Sequence, residues 1–320
     1  MAAATVIIVN YNSGDRLTKS LACLGRQSFT DFTVTVVDNA SSDGSVDAAK
    51  SQYPQHNYIL AGANLGFAAA NNLAAKSSKS EWLVFLNPDA YAEPSWLSEL
   101  SAATARYPHV DAFGSTQIDA DAPLLIDGAG DVMHVLGVPY RCLHGQQIDR
   151  LPPEGECFSP CAAAAMYRRT TFENLGGFDE RFFCYGEDVD LGFRLRLAGG
   201  RAVQVRAAVV HHEGSGVTGR HSDFTVYHGH RNRIWLTYKN FPATLYWLTA
   251  PARLATDLAL GFKAAAGGYL SAYLRALRDG YGGLGKFTHD RREIAKARRS
   301  SVHEVAKQLV WSPIRLTRRS

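Results

Sequence analysis

Acidic residues stand where predicted strands end, which is the position at which open α/β folds hold their ligands. The apolar run 82–86 predicts a strand buried on both faces, and Asn87, Pro88 and Asp89 close it. Because proline stops a strand ladder, we expect Asp89 at the carboxyl edge of the sheet. A second β-branched run, 33–37, ends at Asp38 in the same way. The spacing therefore predicts one sheet edge that carries carboxylates toward a ligand.

Asp38 admits two interpretations. Its carboxylate could accept the imide N–H of a pyrimidine base, which uracil and thymine both carry, or it could cap the helix that follows. An acidic residue at the end of the second strand is also typical of dinucleotide-binding folds. Those folds need a glycine-rich first turn, and the stretch 10–15 holds one glycine, which argues against a dehydrogenase.

A second acidic group follows Gly186, at the start of a predicted helix. Acids in a first turn often only complement the helix dipole, and for Glu187 and Asp190 that interpretation stays open. Asp188 differs because it follows an aromatic cluster. A carboxylate beside aromatic rings suits a general base that deprotonates a hydroxyl on a sugar stacked on those rings. The cluster contains Phe182, Phe183 and Tyr185.

A predicted strand over 202–210 ends at His211 and His212, before the glycine-rich stretch 213–216. Alone, such a histidine is most simply a hydrogen-bonded structural residue. Together with Asp89 on another strand end, a shared divalent cation becomes the better explanation. Hard cations in phosphate sites usually take few protein ligands and complete their shell with phosphate and water.

The elements that must position these residues alternate regularly in the first third of the chain. Strands over 5–9, 33–37, 58–60 and 82–86 alternate with three predicted helices, which implies a parallel sheet with right-handed connections. From 111 to 156 the pattern weakens, and we expect a hairpin and loops over the site. The small-residue stretch 158–167 is assigned to a strand in preference to a helix.

The bulk composition divides the chain into two unlike parts. With 320 residues and 46% hydrophobic content, it can form one large domain and an appendage. Residues 1–230 hold 17 Lys+Arg and 25 Asp+Glu, net −8, whereas residues 231–320 hold 17 and 5, net +12. The five cysteines are expected to be free thiols, and the apolar start lacks a basic leader, so we predict a cytoplasmic protein without a signal peptide.

The basic tail predicts helices that lie on a membrane surface. Residues 240–252 hold no charged side chain, but the stretch is too short to cross a bilayer, for which about 20 apolar residues are needed. Aromatic and leucine residues interleaved with cations favour an interfacial position next to anionic lipid. A helical lid over the catalytic domain is the alternative, and nucleic acid is not an expected partner.

Six segments in sequence order resemble the family 2 glycosyltransferases with the GT-A fold, most closely their rhamnosyltransferase-like branch. Together they span about residues 5–235. They are Val6-Ile7-Ile8-Val9-Asn10-Tyr11-Asn12, Val37-Asp38-Asn39-Ala40-Ser41-Ser42-Asp43-Gly44-Ser45, Asn64-Leu65-Gly66-Phe67-Ala68-Ala69-Ala70-Asn71-Asn72, Leu86-Asn87-Pro88-Asp89, the segment 176–197, and His211-His212-Glu213-Gly214.

The resemblance implies an α/β, GT-A nucleotide-diphospho-sugar transferase fold with a Rossmann-like, mostly parallel sheet. The catalytic domain would be 1–235, with a nucleotide-binding half (1–110) and an acceptor half (111–235). A basic amphipathic helical region, 236–320, would follow.

The resemblance also implies site roles. Asp188 would be the catalytic base, and Asp89 and His211 would hold a divalent cation, Mg²⁺ or Mn²⁺. The donor nucleotide would meet Asn10, Asn12, Asp38, Asn64, Gly66, Asn71 and Asn87, and the acceptor would meet Phe183, Tyr185 and Glu187. Asn87 departs from the family's commoner Asp-x-Asp pattern and is a weaker, neutral ligand.

The leading hypothesis is an inverting transferase that moves L-rhamnose from a deoxythymidine-diphosphate donor. Its acceptor would be a polyprenyl-diphosphate-linked or oligosaccharide molecule in surface polysaccharide assembly, at the anionic inner face of the cell membrane. A uridine-diphosphate hexosyl- or galactofuranosyltransferase is the alternative enzyme. A non-catalytic nucleotide-sugar-binding scaffold at the membrane is the alternative from another class.

Overall fold

Twelve strands and thirteen α-helices make up the computed structural model, which describes residues 2–214 and 222–318. The strands are β1 (Ala4–Asn10), β2 (Phe32–Asp38), β3 (Asn57–Leu60), β4 (Trp82–Leu86), β5 (Ala90–Ala92), β6 (Ala112–Asp119), β7 (Ile126–Ala129), β8 (Asp131–His134), β9 (Val138–Arg141), β10 (Gly155–Glu156), β11 (Ala164–Arg168) and β12 (Ala202–His212). The glycine-rich stretch predicted after Glu213 lies outside the described residues from 215 onward.

The helices alternate with the strands in the first half and follow one another at the end of the chain. They are α1 (Arg16–Leu24), α2 (Ser45–Gln52), α3 (Gly66–Ser77), α4 (Trp96–Arg106), α5 (Arg169–Asn174), α6 (Glu187–Leu197), α7 (Asp223–Asn240), α8 (Ala243–Leu248), α9 (Ala250–Ala266), α10 (Leu270–Gly282), α11 (Thr288–Ala297), α12 (Val302–Gln308) and α13 (Pro313–Arg318). Short 3₁₀ turns occupy Ile148–Arg150, Glu180–Phe182 and Leu284–Phe287.

One large sheet carries the molecule, in the order β10-β12-β6-β11-β4-β1-β2-β3. Strands β3, β2, β1 and β4 are parallel to their neighbours in this run, as the alternating pattern predicts. Strand β11 then runs antiparallel between β4 and β6, and β12 is parallel to β6. The α/β class with a parallel nucleotide-type half is confirmed.

Both faces of the sheet are covered, which is why its central strands are continuously apolar. Alternate side chains of β1 enter different cores: Val6 and Ile8 join a cluster with α1 and α4, and Ile7 and Val9 join one with α3 and α6. All five residues of β4 are buried, as predicted for a strand covered on both faces. The apolar cores on the two faces of the sheet therefore fix the position of the end of β4, and with it the position of Asp89.

The C-terminal helices pack on the α/β part of the chain that precedes them. A third apolar cluster joins Met133 of β8 and Phe193 of α6 to Trp235 of α7 and Val305 of α12. Val310 exchanges backbone hydrogen bonds with this region, donating to the carbonyl of Met133 and accepting from Val135, each at 2.9 Å. The expected boundary at residue 235 falls inside α7, which runs on to Asn240.

Candidate active site

A cleft of about 450 Å³ opens at the carboxyl edge of the parallel strands, where the sequence pattern places the ligand. Strands β1 and β4 reach it from the sheet, the start of α3 closes one side, and the turn before α6 closes the other. Its lining is Val9, Tyr11, Asn39, Asn64, Gly66, Phe67, Asn87, Pro88, Asp89, Arg141, Phe183, Cys184, Tyr185, His212 and Phe224.

Asp89 meets a histidine in this cleft, and that histidine is His212. Strand β5 pairs antiparallel with the end of β12, which sets His212 opposite Ala90, the residue after Asp89. The Nε2 atom of His212 lies 3.3 Å from Oδ1 of Asp89, and both side chains are buried. Asn87 adds an amide, whose Nδ2 lies 3.4 Å from the same Nε2.

His211 points away from the cleft because successive side chains of a strand project to opposite faces. Its Nε2 atom lies 3.1 Å from Oε1 of Glu93, on a partly exposed surface. The structure therefore does not bring together the predicted pair of Asp89 and His211. It brings together Asp89 and the neighbouring His212.

A carboxylate behind the ring fixes the orientation of His212. Nδ1 of His212 lies 2.7 Å from Oδ2 of Asp127, a buried residue of β7. Burial opposes the charged imidazole, but Asp89 and Asp127 outweigh it and raise the pKa of His212 to about 9. Burial likewise opposes ionisation of Asp127, yet hydrogen bonds from His144 and His212 and the charge of Arg141 hold the pKa of that carboxyl far below its usual range.

Arg141 brings a cation to the inner end of the cleft. Its guanidinium forms an ion pair with Asp127, and its Nη1 atom lies 3.4 Å from Nδ1 of His212. The side chain lines the 450 Å³ cleft and also a second, adjoining pocket of about 250 Å³. It therefore stands where the two cavities meet.

Asn10 and Asp38 build the floor beneath the cleft. Asn10 is fully buried, and its Nδ2 donates to Asp38 Oδ1 at 2.9 Å and to two serine hydroxyls. Oδ2 of Asp38 accepts from the backbone N–H of Ser41 at 3.2 Å, which is the local turn contact of the capping interpretation. Asn12, in a left-handed conformation, accepts from Ser42 N at 2.8 Å. The predicted residues Asn10, Asn12 and Asp38 are not in the lining of the cleft, to which these segments contribute Tyr11 and Asn39.

On the opposite side of the cleft, the backbone at Gly66 lies close to Phe183. Asn39 Nδ2 donates to Asn64 Oδ1 at 2.9 Å and links β2 to the loop before α3. Gly66 follows with φ near +80°, and a Cβ at this position would lie 2.5 Å from the Phe183 ring and 2.6 Å from its carbonyl oxygen. Only glycine satisfies both constraints. Asn71 is turned into α3, where its Nδ2 donates to the Phe67 carbonyl at 2.9 Å.

Asp188 opens into the adjoining 250 Å³ pocket together with Asn87, Arg141, Tyr185 and Glu187. Two backbone amides hold its carboxylate: Val189 N donates to Oδ1 at 2.8 Å, and Ala162 N donates to Oδ2 at 3.1 Å. Gly186, with φ near +84°, caps α6 and sets Asp188 in its first turn. The residue predicted as a base is therefore fixed at the mouth of a pocket.

Asp131 and Cys161 lie beside Asp188, with their ligand atoms within 4.8 Å of one another. Burial, followed by the charge of Asp188, raises the pKa of the Asp131 carboxyl well above its ordinary value. Burial also raises the pKa of the Cys161 thiol. Both shifts favour the protonated forms, and the Asp131 carboxyl is placed to donate a hydrogen bond to Asp188.

Glu187 lies in the same pocket and is buried. Its Oε2 atom has no hydrogen-bond partner among the described residues. Burial, followed by the charge of Asp188, raises its pKa well above the ordinary value. The shift favours the protonated carboxyl, and its unpartnered oxygen offers hydrogen-bonding capacity to the pocket.

The aromatic turn before α6 has an unusual backbone conformation. Phe183 and Tyr185 both have positive φ, near 66° and 72°, although neither is glycine. Asn232 of α7 holds the turn, because its Nδ2 atom lies 2.7–2.9 Å from the carbonyl oxygens of Phe182, Cys184 and Tyr185. Strained residues held by their surroundings are concentrated at functional sites.

Sequence reasoning missed several residues of this site. Asn39 and Tyr11 are neighbours of residues that the motifs marked, so attention to both sides of each strand end could have found them. Asp127 stood in a stretch recognised only by its glycines, and Arg141, Asp131 and Asn232 carried no local signal. The tertiary arrangement of β7, β8, β9 and α7 brings Arg141 into both cavities and Asp131 into the smaller one. It sets Asp127 behind His212 and Asn232 behind the aromatic turn.

Comparisons with known proteins identify the family of the chain. The model of the family described as glycosyl transferase family 2 matches residues 5–176. An N-acetylglucosaminyl-diphospho-decaprenol L-rhamnosyltransferase of Mycobacterium tuberculosis is 34% identical over 242 residues, which cover 67% of this chain and 77% of that protein. The O-antigen biosynthesis protein RfbC of Myxococcus xanthus is 33% identical over 226 residues, 65% of this chain and 17% of that protein.

Solved structures show the same fold at low sequence identity. GalNAc-T7 with UDP, GalNAc and Mn²⁺ superposes with a TM-score of 0.64 at 14% identity, over 80% of this chain and 51% of that one. A mannosyltransferase of Pyrobaculum calidifontis with GDP-Man and Mn²⁺ gives 0.54 at 19% identity, over 93% and 86%. The predicted GT-A fold is confirmed, and the chain is a glycosyltransferase that belongs to glycosyl transferase family 2 and resembles its rhamnosyltransferases.

Proposed function

We propose that the protein transfers a sugar from a nucleoside-diphosphate donor to a hydroxyl of an acceptor, with inversion at the anomeric carbon. The observation that carries this proposal is the pair of adjoining cavities. The larger has Asp89 and His212 at its inner end, and the smaller has Asp188, with Asn87 and Arg141 lining both. An inverting transfer needs the base and the leaving group on opposite sides of the sugar, and the separation of these residues between two adjoining cavities supports that assignment.

The nucleotide would occupy the 450 Å³ cleft. Asn39, Asn64 and Gly66 line it, and Tyr11 offers a ring on which a base could stack. Asp38 remains the proposed partner of the pyrimidine imide, since each of its oxygens accepts one protein hydrogen bond and keeps a second lone pair. Asn10, Asn12 and Asn71 would act indirectly, by holding the loops and the helix that form the cleft.

A divalent cation, Mg²⁺ or Mn²⁺, fits the residues at the inner end. Asp89 supplies a carboxylate and His212 an imidazole nitrogen, and Asp127 behind Nδ1 is the carboxylate partner that metal-bound histidines usually have. We therefore propose Asp89 and His212 as the ligands, in place of His211. When bound, such an ion would act as a Lewis acid for the departing diphosphate. Arg141 would add a positive charge on the same side.

Asp188 would take the proton of the acceptor hydroxyl. The backbone N–H groups of Val189 and Ala162 hold its carboxylate in place, and Asp131 lies beside it. Tyr185 lines both cavities, whereas Phe183 lines only the larger one. We propose that both rings contact the acceptor sugar where the cavities adjoin, and that Glu187 hydrogen-bonds one of its hydroxyls through the buried oxygen. General base catalysis of this kind contributes about 10²–10⁴-fold to a rate.

For the substrates, we propose L-rhamnose from a deoxythymidine-diphosphate donor and a polyprenyl-diphosphate-linked acceptor. The mycobacterial relative, whose name gives a lipid diphosphate acceptor and L-rhamnose, supports this choice. Surface polysaccharide assembly is the proposed process, at the anionic cytoplasmic face of the cell membrane. Among the described residues, no helix combines the length and the hydropathy that a membrane span requires, so the proposed association is peripheral.

The test is a donor panel. The protein is incubated with Mn²⁺ or Mg²⁺, a short polyprenyl-diphosphate acceptor and thymidine- or uridine-diphosphate sugars, and product formation is measured by mass spectrometry. We expect transfer of rhamnose from the thymidine donor. The Asp188→Asn variant should lose at least about 100-fold in kcat while donor affinity by calorimetry stays unchanged.

Two other outcomes would change the conclusion. Transfer from a uridine-diphosphate hexose, with none from the thymidine donor, would identify the alternative enzyme. Donor binding without transfer to any lipid-linked acceptor, in the wild type as in Asp188→Asn, would show a nucleotide-sugar-binding scaffold.

A further inference from the structure

Five large apolar side chains stand exposed on α8 and α9, far from the cleft lining. Their exposed fractions run from 60% to 78%. Leu254, Leu258 and Phe262 follow one another at intervals of four, so they form one line along α9. We call this surface the apolar face; it consists of Trp247, Leu248, Leu254, Leu258 and Phe262.

No charge of these two helices interrupts the apolar face between residues 243 and 262. The charged side chains there are Arg253 and Asp257. Asp257 is buried and accepts from Arg233, and Arg253 donates to the Tyr246 carbonyl at 2.7 Å and lies over the Tyr246 ring. Exposed apolar surfaces of this kind mark contact with another molecule.

The charged residues around the apolar face indicate which kind of partner it contacts. Lys263 directly follows Phe262, and Arg275 and Arg278 are exposed on the adjacent α10, in surface ion pairs with Asp223 and Asp279. Residues 231–320 hold 17 Lys+Arg against 5 Asp+Glu. A second copy of the chain would bring the same positive charge to the contact, whereas anionic phospholipid would complement it. Exposed Trp and Phe beside cations are typical of helices that lie in the headgroup region.

The β8–β9 hairpin connects this surface to the acceptor side of the site. At its turn, Gly137 approaches the start of α9, since a Cβ there would lie 3.2 Å from Cδ of Arg253. At its other end, Pro139, Tyr140 and Arg141 line the pocket of Asp188. Strand β9 has four residues, so the two ends are roughly 10 Å apart along the strand.

We propose that the apolar face docks the protein on an anionic phospholipid bilayer and thereby holds the Asp188 pocket at the level of the lipid headgroups. The docking proposal rests on the exposed side chains of the apolar face and on the charge around it. Its orientation toward a lipid-linked acceptor rests on the proposed function.

The experiment compares two double variants of the full chain by sedimentation with vesicles. Leu258→Gln with Phe262→Gln removes two members of the apolar face. Leu60→Gln with Leu124→Gln is the matched control, since these leucines are similarly exposed, at 60% and 69%, but lie on the catalytic half. All four side chains are exposed, so both variants should fold as the wild type does, which circular dichroism checks.

With phosphatidylcholine–phosphatidylglycerol vesicles, we expect the first variant to bind about 100-fold more weakly than the wild type, since two apolar side chains no longer leave water. The control should bind as the wild type does, and vesicles of phosphatidylcholine alone should bind the wild type more weakly. Equal binding by the wild type and the first variant would overturn the proposal. A wild-type dimer that the first variant dissociates, without vesicle binding, would assign the face to a second copy.

Activity readouts keep this proposal separate from the proposed function. Transfer to a short, water-soluble acceptor should be equal in the wild type and the first variant, whereas transfer to acceptor embedded in vesicles should fall in the variant. The Asp188→Asn variant should sediment with vesicles as the wild type does. Vesicle binding without any transfer would leave docking in place and refute only the enzyme proposal.

Discussion

His212 owes its place in the cleft to two carboxylates on different elements. Asp89 precedes β5 and lies 3.3 Å from Nε2, and Asp127 of β7 lies 2.7 Å from Nδ1. With Nδ1 committed to Asp127, Nε2 is the nitrogen left to face the cleft. At the scale of the residue, the site is therefore a carboxylate and an oriented imidazole side by side.

This geometry predicts that substitution of His212, but not of His211, weakens Mn²⁺ binding. His212→Ala should weaken Mn²⁺ binding at least about 100-fold, because a proposed ligand is removed, and Asp127→Asn should weaken it about 10–100-fold by releasing the ring. His211→Ala should leave Mn²⁺ affinity unchanged, since its ring faces Glu93. Electron paramagnetic resonance of Mn²⁺ titrated with nucleoside diphosphate present measures all three. If His211→Ala lost Mn²⁺ affinity and His212→Ala retained it, His211 would be the metal ligand.

Gly66 supplies a second prediction at this scale, about donor binding. Gly66→Ala combines a positive φ with a Cβ 2.5 Å from the Phe183 ring, so it should displace the aromatic turn and weaken donor affinity by about tenfold or more. Gly62→Ala is its matched control, because Gly62 also has positive φ, near +74°, but open space around the added Cβ.

Calorimetry with the donor measures both glycine variants. Both should lose about 1 kcal/mol of stability from the backbone conformation alone. Only Gly66→Ala should change the donor affinity. Equal donor affinity in the two variants would show that contact with Phe183 does not shape the cleft.

At the scale of the element, Lys239 ties α7 to α6 and to the segment before it. Its Nζ atom lies 2.7 Å from Asp179 Oδ2 and 2.9 Å from Asp190 Oδ2, and all three side chains are buried. Burial opposes ionisation of Asp179, but Arg181 and Lys239 lower its pKa; for Asp190, Lys239 and Arg194 do the same. Asp190 is therefore a structural partner, two residues from the proposed base.

Lys239→Met should remove about 3–5 kcal/mol of stability at neutral pH, because it leaves two buried carboxylates short of a partner. In the wild type, stability from the lowered pKa values is present above the unfolded carboxyl pKa of about 4 and is lost as the pH falls toward the folded values. The difference between variant and wild type should therefore shrink below that pH. Urea unfolding across this pH range measures it, and a difference that stays constant would contradict the assignment of the pair.

Asn232 acts between elements as well, since it holds the turn of Phe183 and Tyr185 from α7. Helix α7 therefore contributes both a buried ion pair and a loop anchor to the acceptor side.

At the scale of the molecule, the final helices complete the third apolar core. Val305 and Leu309 are buried in it, and Val310, which is also buried, pairs with the β8 region through its backbone. The described side chains of 313–316, in contrast, are mostly exposed. Residues 305–310 therefore contribute buried apolar side chains to the fold, whereas residues 313–316 contribute few.

Deletion of 299–320 should destabilise the protein by about 5 kcal/mol, since three buried apolar side chains contribute about 1.5–3 kcal/mol each. Deletion of 313–320 alone should cost far less and serves as the control. Thermal unfolding followed by circular dichroism measures both. If the two deletions lowered the melting temperature equally, the core would not depend on 299–312.

The sequence by itself determined the parallel half of the fold and the carboxylates at its edge. Strands β1, β2 and β4 are short apolar runs ended by polar residues, and this local pattern is enough to place Asn10, Asp38 and Asp89 at strand ends. Gly186 likewise marks the start of α6 and so places Asp188. These assignments depend on neighbours in the chain, which a single sequence shows directly.

Only the tertiary structure decided which histidine faces the cleft. Val205 pairs with Ser115 and Val209 with Thr116, so three residues of β12 bulge out of register with β6. An odd insertion exchanges the two faces of a strand, and the alternation read from the sequence no longer predicts the direction of His211 and His212. Arg141, Asp127 and Asp131 lie on β7, β8 and β9, which pair with strands close to them in the chain. A hairpin there can be expected from the sequence, but the packing of these strands beside the ends of β4 and β12 leaves no local pattern.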